Sequence, residues 1–299
     1  MIDVLITGAS GFVGKNLIHK LSDENYSFTK LSLRKKDWEK DLKQTDVDTY
    51  IHLAGIAHDI ANVNDDKIYY DVNYELTKKL YDCFLKDKKA DKFIFFSSVK
   101  AAADQPEQIL KEDVKPNPKT AYGKSKLMAE KYILDNLPLD KKVFILRPCM
   151  IHGAGNKGNL NLLHNFIAKG FPYPFGDFKN KRSFISMDNV CFIINELIRN
   201  EKIKSGIYNI ADDESLSTVD LVKIMGKTMH KNPSIYNIPK PTIHLIAKVG
   251  DVLPLPVNSE RVHKLTENYV VSNEKIKKAI KKDLPLTAVD GIKKTLTSF

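Results

Sequence analysis

A glycine-rich stretch close to the amino terminus constrains the fold more than any other feature of this chain. It reads Thr-Gly-Ala-Ser-Gly-Phe-Val-Gly over residues 7–14, between an apolar run at residues 4–6 and an amphipathic segment at residues 12–21. This order predicts a buried strand, a tight turn and a helix whose free N–H groups bind phosphate, which together begin a dinucleotide-binding fold. The residues predicted to contact the dinucleotide are Gly8, Ser10, Gly11, Phe12, Val13 and Gly14.

The composition of the 299 residues is that of an ordinary globular protein, long enough for one large domain or two coupled ones. The formal net charge of +10 comes mostly from lysines spread along the chain. We therefore interpret it as a solvated surface and predict no nucleic-acid partner. The three cysteines have neither disulfide nor metal-ligand spacing, which fits a reducing cytoplasm and predicts no metal site.

No segment predicts insertion into a membrane. The apolar runs fall short of the ~20 residues that span a bilayer, and the first residues lead directly into a strand without a secretory signal. The nearest candidate, residues 243–257, is interrupted by Lys248, Asp251 and two prolines. We interpret this segment as a core-packing helix and loop, and we expect a cytoplasmic protein.

The second predicted strand, residues 28–34, ends in the basic run Arg34-Lys35-Lys36. In dinucleotide-binding folds an acidic residue at this point binds the 2′-hydroxyl of NAD, whereas an arginine suits the 2′-phosphate of NADP. Arg34 therefore favours NADP, with NAD still possible. A solvated basic turn is the alternative interpretation.

Tyr122 and Lys126 are one turn apart on a predicted helix, so their side chains project to one face. A phenol has an ordinary pKa of about 10, and an adjacent cation moves that pKa toward neutral pH, where acid–base catalysis is efficient. Ser98 ends a predicted strand, at the edge where parallel sheets bind ligands. We predict that these three residues form a catalytic set, although each pattern alone also occurs in surface pairs and helix caps.

The Gly-x-x-Gly-x-x-Gly spacing, Ser98 and the Tyr-Gly-Lys-Ser-Lys stretch at residues 122–126 together resemble the extended short-chain dehydrogenase/reductase (NAD-dependent epimerase/dehydratase) family. The resemblance implies an α/β fold with a Rossmann-like, doubly wound parallel sheet and a smaller C-terminal α/β substrate domain. The implied nucleotide domain comprises residues 1–155, with residues 183–205 returning to it. The implied nucleotide-sugar domain comprises residues 156–182 and 206–299.

The resemblance also assigns roles to residues outside the glycine loop. Those implied to bind the cofactor are Arg34, Leu53, Ala54, Gly55, Asn73, Tyr122, Lys126 and Pro148. Those implied to bind substrate are Ser98, Tyr122, Asn159, Leu160 and Arg182, the last as a bidentate ligand of the diphosphate. Lys100 is added to the substrate set because alternation along a strand would point it the same way as Ser98.

Single positions narrow the reaction that the resemblance implies. The family's 4,6-dehydratases carry Asp-Glu after the catalytic serine or threonine, where this chain has Val99-Lys100, and its 4-epimerases generally carry an acid where this chain has Arg34. We therefore predict reduction of the C4 carbonyl of a UDP-4-keto-6-deoxy-N-acetylhexosamine for surface-polysaccharide synthesis. The alternatives are a UDP-sugar 4-epimerase with tightly bound NAD and a non-catalytic NADP-sensing protein of the same fold.

Two further expectations concern the architecture. Only residues 37–46 separate the second strand from the next, so the family's third strand is expected to be rudimentary. A helix is predicted over residues 66–86, with an apolar stripe formed by Tyr69, Val72, Leu76, Leu80 and Phe84. Family members pair through this helix and one at residues 122–137, which implies a homodimer. The alternative is that the stripe faces the chain's own core.

Overall fold

The computed structural model describes residues 1–22, 24–56, 65–156, 158–253 and 258–299, apart from the side chains of Asn159 and Lys264. The strands are β1 (Ile2–Thr7), β2 (Tyr26–Leu31), β3 (Thr49–His52), β4 (Lys92–Phe96), β5 (Lys142–Pro148), β6 (Met150–His152), β7 (Arg182–Ser186), β8 (Gly206–Ile210) and β9 (Ser215–Leu216). The helices of the first half are α1 (Phe12–Leu21), α2 (Trp38–Leu42), α3 (Lys67–Tyr70), α4 (Leu76–Lys86) and α5 (Ala121–Asp135). Those of the second half are α6 (Asn159–Ala168), α7 (Met187–Arg199), α8 (Thr218–Thr228), α9 (Lys240–Val252), α10 (Ser259–Thr266), α11 (Glu274–Ile280) and α12 (Ala288–Leu296).

Six parallel strands form the main sheet, in the order β2-β1-β3-β4-β5-β8. The chain leaves β1 toward β2 and then returns to the other side of β1 for β3. The gap between β1 and β3 is therefore the switch point at which open α/β sheets bind ligands, and the glycine loop follows β1 there. The predicted Rossmann-like sheet is confirmed.

Both faces of this sheet are covered, because neighbouring residues of each strand pack into different cores. Leu5 and Phe93 belong to the core beside α4 and α5, whereas Ile6 and Ile94 belong to the core beside α1 and α7. All four side chains are fully buried. Burial on both faces explains why the central strands are almost continuously apolar and show no polar alternation.

A second lobe contains a three-stranded sheet, β6-β7-β9, and its own apolar core, to which α6, α8, α9, α10 and α12 contribute. The structure differs from the predicted domain division at two places. Strand β8 pairs with β5 in the main sheet, and α11 packs on β8 and α7, so these parts return to the first lobe. Strand β7 lies in the second lobe, while α7 directly after it packs on the first.

Residues 37–46 contain the short helix α2 and no strand, so the third strand that was expected to be rudimentary is absent there. Trp38 begins this helix and is buried in the core beside Leu31, Leu33 and Leu42. Strand β2 pairs only with β1 in the described chain and is the outermost strand of the main sheet. On the predicted adenosine side of the switch point, the described main sheet therefore ends at β2.

The predicted helix over residues 66–86 consists of α3, a π-helical turn at Asp71–Glu75 and α4. Leu80 and Phe84 of its apolar stripe are fully buried in the chain's own core. Much of the stripe is thus explained within one chain, and the homodimer stays a prediction. None of the described helices is long and apolar enough to cross a bilayer.

Candidate functional site

The glycine loop is shaped by close backbone approaches that exclude side chains. Gly8 has a left-handed backbone (φ 70°), and a Cβ atom there would lie 2.7 Å from the Ala54 nitrogen. A Cβ at Gly14 would lie 2.4 Å from the Gly8 carbonyl oxygen, so α1 can press against the turn only because this position is glycine. Gly11 precedes the first residue of α1, so the N–H groups of the first helical turn follow the loop directly. This geometry fits a dinucleotide pyrophosphate.

A buried histidine joins the three elements around the switch point. Thr7 Oγ1 lies 2.7 Å from His52 Nδ1, and His52 Nε2 lies 2.8 Å from Thr77 Oγ1. Burial, and to a lesser degree the charge of Lys126, lowers the pKa of His52 to about 3. The ring is therefore neutral at physiological pH. It acts as a structural link between β1, β3 and α4.

Asn73 lies in the π-helical turn and is fully buried. Its Oδ1 accepts from the Ile56 N–H (2.8 Å), and its Nδ2 donates to the Ile56 carbonyl (3.1 Å) and to Ser125 Oγ (3.2 Å). The amide thus fastens the loop after β3 to helix α5. A π-helical turn is rare and often marks a functional site, and here it brings this amide to the loop. The cofactor-side role predicted for Asn73 is compatible with support of the Gly55 backbone.

Helix α5 carries the predicted catalytic pair and begins at Ala121, with Thr120 Oγ1 accepting from the Gly123 N–H (3.2 Å). A Cβ at Gly123 would lie only 2.5 Å from the Lys100 carbonyl oxygen, so this end of α5 presses on the turn that follows Ser98. Ser98 is 8% exposed, and Tyr122 is half-buried, with its ring 6.2 Å from that of Tyr69. The first turn of α5 and the end of β4 are thus neighbours.

Lys126 is buried beneath the site and lies beside Gly55. Its Nζ donates to the Phe96 carbonyl (2.9 Å) and would lie 3.1 Å from a Cβ at Gly55. Burial lowers the pKa of Lys126 to about 8, although the nearby Glu130 carboxylate acts in the opposite direction. The contacts from Gly8 to Ala54 and from Gly55 to Lys126 connect the predicted cofactor loop to the predicted catalytic helix.

This pKa predicts how activity depends on pH. Below about pH 8 the ammonium that is predicted to acidify the phenol of Tyr122 is present; above that pH the cation is lost. We therefore expect kcat/KM for the predicted carbonyl reduction to fall as the pH rises above about 8, because this parameter reports ionisations of the free enzyme. A pH–rate profile that stays level to pH 10 would contradict the prediction.

Sequence reasoning missed a buried ion pair one helical turn beyond Lys126. Arg147 grips Glu130 with two bonds, Nε to Oε1 (2.9 Å) and NH2 to Oε2 (2.6 Å), and each side chain is 1% exposed. Ser97 Oγ also donates to Glu130 Oε1. The pair ties α5 to the carboxyl ends of β4 and β5. Two signals could have found it: Glu130 continues the Tyr-x-x-x-Lys spacing, and Arg147 interrupts an apolar strand.

The prediction that Lys100 points the same way as Ser98 by strand alternation is wrong. Residues Val99–Ala101 form a 3₁₀ turn, with Ser98 Oγ accepting from the Lys100 N–H (3.2 Å), so strand alternation does not apply. The Lys100 Nζ donates to the Asp104 carbonyl (2.7 Å) and lies 4.5 Å from the centre of the Tyr269 ring. Lys100 is half-buried, and its contact with substrate stays a prediction.

The predicted diphosphate residues lie in the second lobe. Arg182 is the first residue of β7, and its backbone forms a parallel β-bridge with Tyr269. Its NH2 lies 3.3 Å from Glu267 Oε1. Through Tyr269 it is connected to Lys100. Leu160 is 3% exposed in the second lobe's core, so only its backbone is available to a ligand, and the side chain of Asn159 lies outside the described residues. Arg34 is exposed beyond the end of β2, and Pro148 is buried at the end of β5.

Comparison with known proteins agrees with this geometry. The NAD dependent epimerase/dehydratase family matches residues 4–211. The UDP-glucose 4-epimerase of Vibrio cholerae is 29% identical over 325 aligned positions, covering 99% of this chain and 95% of that protein. The N-acetyl-alpha-D-glucosaminyl-diphospho-ditrans,octacis-undecaprenol 4-epimerase of Escherichia coli O157:H7 is 27% identical, covering 92% of this chain and 85% of that protein.

Among solved structures, RMD from Pseudomonas aeruginosa complexed with NADPH superimposes with a TM-score of 0.77. The two chains are 19% identical, and the match covers 100% of this chain and 99% of that one. At this level of identity the likeness shows a shared fold. It extends over both lobes.

Proposed function

The chain belongs to the NAD-dependent epimerase/dehydratase family, and on that premise we propose that it reduces the C4 carbonyl of a UDP-4-keto-6-deoxy-N-acetylhexosamine with NADPH. The observation that carries the proposal is the meeting of two motifs: Lys126, on the helix that bears Tyr122, lies against Gly55 beside the glycine loop. Cofactor and proton donor can then act on the same carbonyl group, the cofactor at its carbon and the donor at its oxygen. Oxidation of NADPH that depends on a UDP-4-keto sugar is the assay.

In this proposal the chain's own residues handle the proton and the developing charge, and the reduced nicotinamide, when bound, supplies the hydride. Tyr122 donates its phenolic proton to the C4 oxygen, and Ser98 donates a hydrogen bond to the same oxygen. Lys126 would favour the ionised form of Tyr122 and bind the ribose hydroxyls. Hydride and proton together convert the ketone to an alcohol. The stabilised alkoxide charge exists only in the transition state, so these contacts raise kcat.

The open adenosine side favours a cofactor that exchanges at every turnover. Strand β2 is the outermost strand of the main sheet in the described chain, and the short helix α2 follows it before β3. Arg34 is exposed there and is proposed to bind the 2′-phosphate. A reductase must release its oxidised cofactor, whereas an epimerase keeps NAD bound through the cycle.

A UDP-sugar 4-epimerase is the second candidate, and the Vibrio cholerae relative favours it because that match covers 99% of this chain. The Escherichia coli relative acts, by its name, at C4 of an N-acetylglucosaminyl diphosphate carried on undecaprenol. Both candidates use the same site residues and the same position on the sugar. They differ in whether the reduced cofactor is consumed.

The cofactor assignment predicts a selective effect at Arg34. Arg34→Ala should weaken NADPH binding by about 1.5–3 kcal/mol, the usual scale for a hydrogen bond to a charged group, and leave NADH binding nearly unchanged. Titration of the purified protein with each cofactor measures both constants. Lys36→Ala, in the same exposed turn, is the matched control with a smaller expected effect. Equal losses for the two cofactors, or tighter wild-type binding of NADH, would refute the assignment.

A further inference from the structure

Helix α9 buries one side and exposes a large apolar surface on the other. The buried side consists of Ile243, Ala247 and Gly250. The opposite side exposes Leu245 (65%), Ile246 (42%), Val249 (45%) and Val252 (85%), followed by Leu253 (52%). Residues 243–257 were interpreted as a core-packing helix and loop, and only one side of the helix packs into the core. Residues 254–257 lie outside the described residues.

The exposed apolar side chains form one continuous stripe. Leu245, Val249 and Val252 are spaced by four and three residues, which places them in a row along a helix, and Ile246 and Leu253 lie beside that row. Isolated exposed apolar residues need no explanation, but a contiguous apolar patch on a soluble domain usually marks an interaction site. The stripe therefore requires an apolar partner.

The charges on α9 and on the segment before it in sequence indicate what that partner is. Residues 221–250 contain five lysines and neither aspartate nor glutamate. The five lysines, all exposed, are Lys223, Lys227, Lys231, Lys240 and Lys248. Lys248 lies next to the stripe, three residues from Leu245. The acid of α9, Asp251, accepts from the N–H (2.8 Å) and hydroxyl (2.6 Å) of Ser259.

A helix with an apolar stripe and two exposed lysines, preceded by a lysine-rich segment without acids, is complementary to the surface of a bilayer that contains anionic lipids. A helix of this kind lies in the plane of the interface, with its apolar side chains among the acyl chains and its lysines at the headgroups. A second copy of the chain fits less well, because a twofold contact would bring the same lysine-rich surfaces together. The whole chain's net charge of +10 acts in the same direction.

We propose that the outward face of α9 docks this protein on an anionic membrane surface, as a peripheral contact and without insertion of a spanning helix. The proposal goes beyond the reaction assigned above and does not depend on it. The docking helix belongs to the lobe that carries Arg182.

Sedimentation with lipid vesicles tests the proposal. The full chain should bind vesicles of phosphatidylcholine mixed with phosphatidylglycerol, bind pure phosphatidylcholine far more weakly, and be released by salt. The double substitution L245E/V249E should reduce binding to the mixed vesicles at least ~10-fold, because it replaces two apolar side chains that the bilayer would bury with anions. The double substitution Lys240→Gln with Lys248→Gln should reduce binding to the mixed vesicles roughly 30-fold, because each lysine near an anionic surface strengthens binding about fivefold.

The matched control is L137E/L139E, which makes the same charge change at two exposed leucines of the other lobe and should lose much less binding. Thermal unfolding and NADPH binding should be unchanged in L245E/V249E, which separates loss of docking from loss of folding. The proposal is overturned if the wild-type protein does not bind the mixed vesicles, or if L245E/V249E binds them as tightly as wild type. It is also overturned if the wild-type protein binds mixed and pure phosphatidylcholine vesicles equally. Self-association that depends on Leu245 and Val249, without vesicle binding, would assign the face to a second copy.

Discussion

Tyr122→Phe is expected to lower kcat by about 10²–10⁴-fold, the range that a positioned general acid contributes. The substitution removes only the phenolic oxygen and keeps the ring that packs edge-on against Tyr69 at 6.2 Å. Lys126 keeps its bond to the Phe96 carbonyl. Cofactor affinity and stability should therefore change little, and the loss should appear in kcat. Steady-state kinetics and a cofactor titration on the same preparation measure the two effects separately.

Tyr132→Phe provides the matched control for this experiment. Tyr132 lies on the same helix and loses the same atom, but its hydroxyl donates to Asp82 Oδ1 (2.5 Å), away from the Ser98 turn. We expect Tyr132→Phe to keep near wild-type kcat. Full activity in Tyr122→Phe, or equal losses in the two variants, would remove Tyr122 from its role as the acid.

The largest expected effect on stability is at Glu130. Glu130→Ala should reduce the free energy of unfolding by about 3–5 kcal/mol, because it leaves the Arg147 guanidinium charged, buried and without its carboxylate. Urea denaturation followed by circular dichroism measures the change. Lys278→Ala is the control, since it removes one partner of an exposed pair (Lys278 Nζ to Glu274 Oε2, 3.3 Å) and should cost no more than about 1 kcal/mol.

A double substitution distinguishes the ion pair from simple loss of packing. Glu130→Leu with Arg147→Met removes both charges and keeps much of the apolar volume. It should be more stable than Glu130→Ala, because no buried charge is left without a partner. If the double variant is no more stable than the single one, the uncompensated charge is not the cause of the loss.

The parts of the fold that sequence could predict are those fixed by local interactions. The glycine loop, helix α7 and the capping box in which Ser217 and Asp220 exchange hydrogen bonds are specified within a few residues of each other. The lack of a full third strand was equally predictable, because ten residues hardly accommodate a strand and both its connections. These features depend on chain length and on neighbouring side chains.

The features that sequence could not predict depend on contacts between distant residues. The bond from Arg147 to Glu130 joins a strand to a helix. Residues Val99–Ala101 form a 3₁₀ turn directly after Ser98, where continuation of the strand was predicted, and this turn changes the direction of the Lys100 side chain. Periodicity identified an apolar stripe on the helix of residues 66–86, and the apolar run at residues 243–257 indicated a core-packing helix. Neither pattern could show that Leu80 meets the core whereas Leu245 is 65% exposed, because the answer depends on which other elements pack there.

The proposed reaction is tested most directly by supplying the purified protein with UDP-4-keto-6-deoxy-N-acetylglucosamine, made from UDP-GlcNAc by a separate 4,6-dehydratase, together with NADPH or NADH. We predict that one NADPH is consumed for each keto sugar reduced and that NMR of the product shows a new C4 hydroxyl. A parallel reaction with UDP-GlcNAc and no added cofactor should give no new sugar. Conversion of that UDP-sugar to its C4 epimer, with no consumption of NADPH in the first reaction, would contradict the reductase and establish the epimerase.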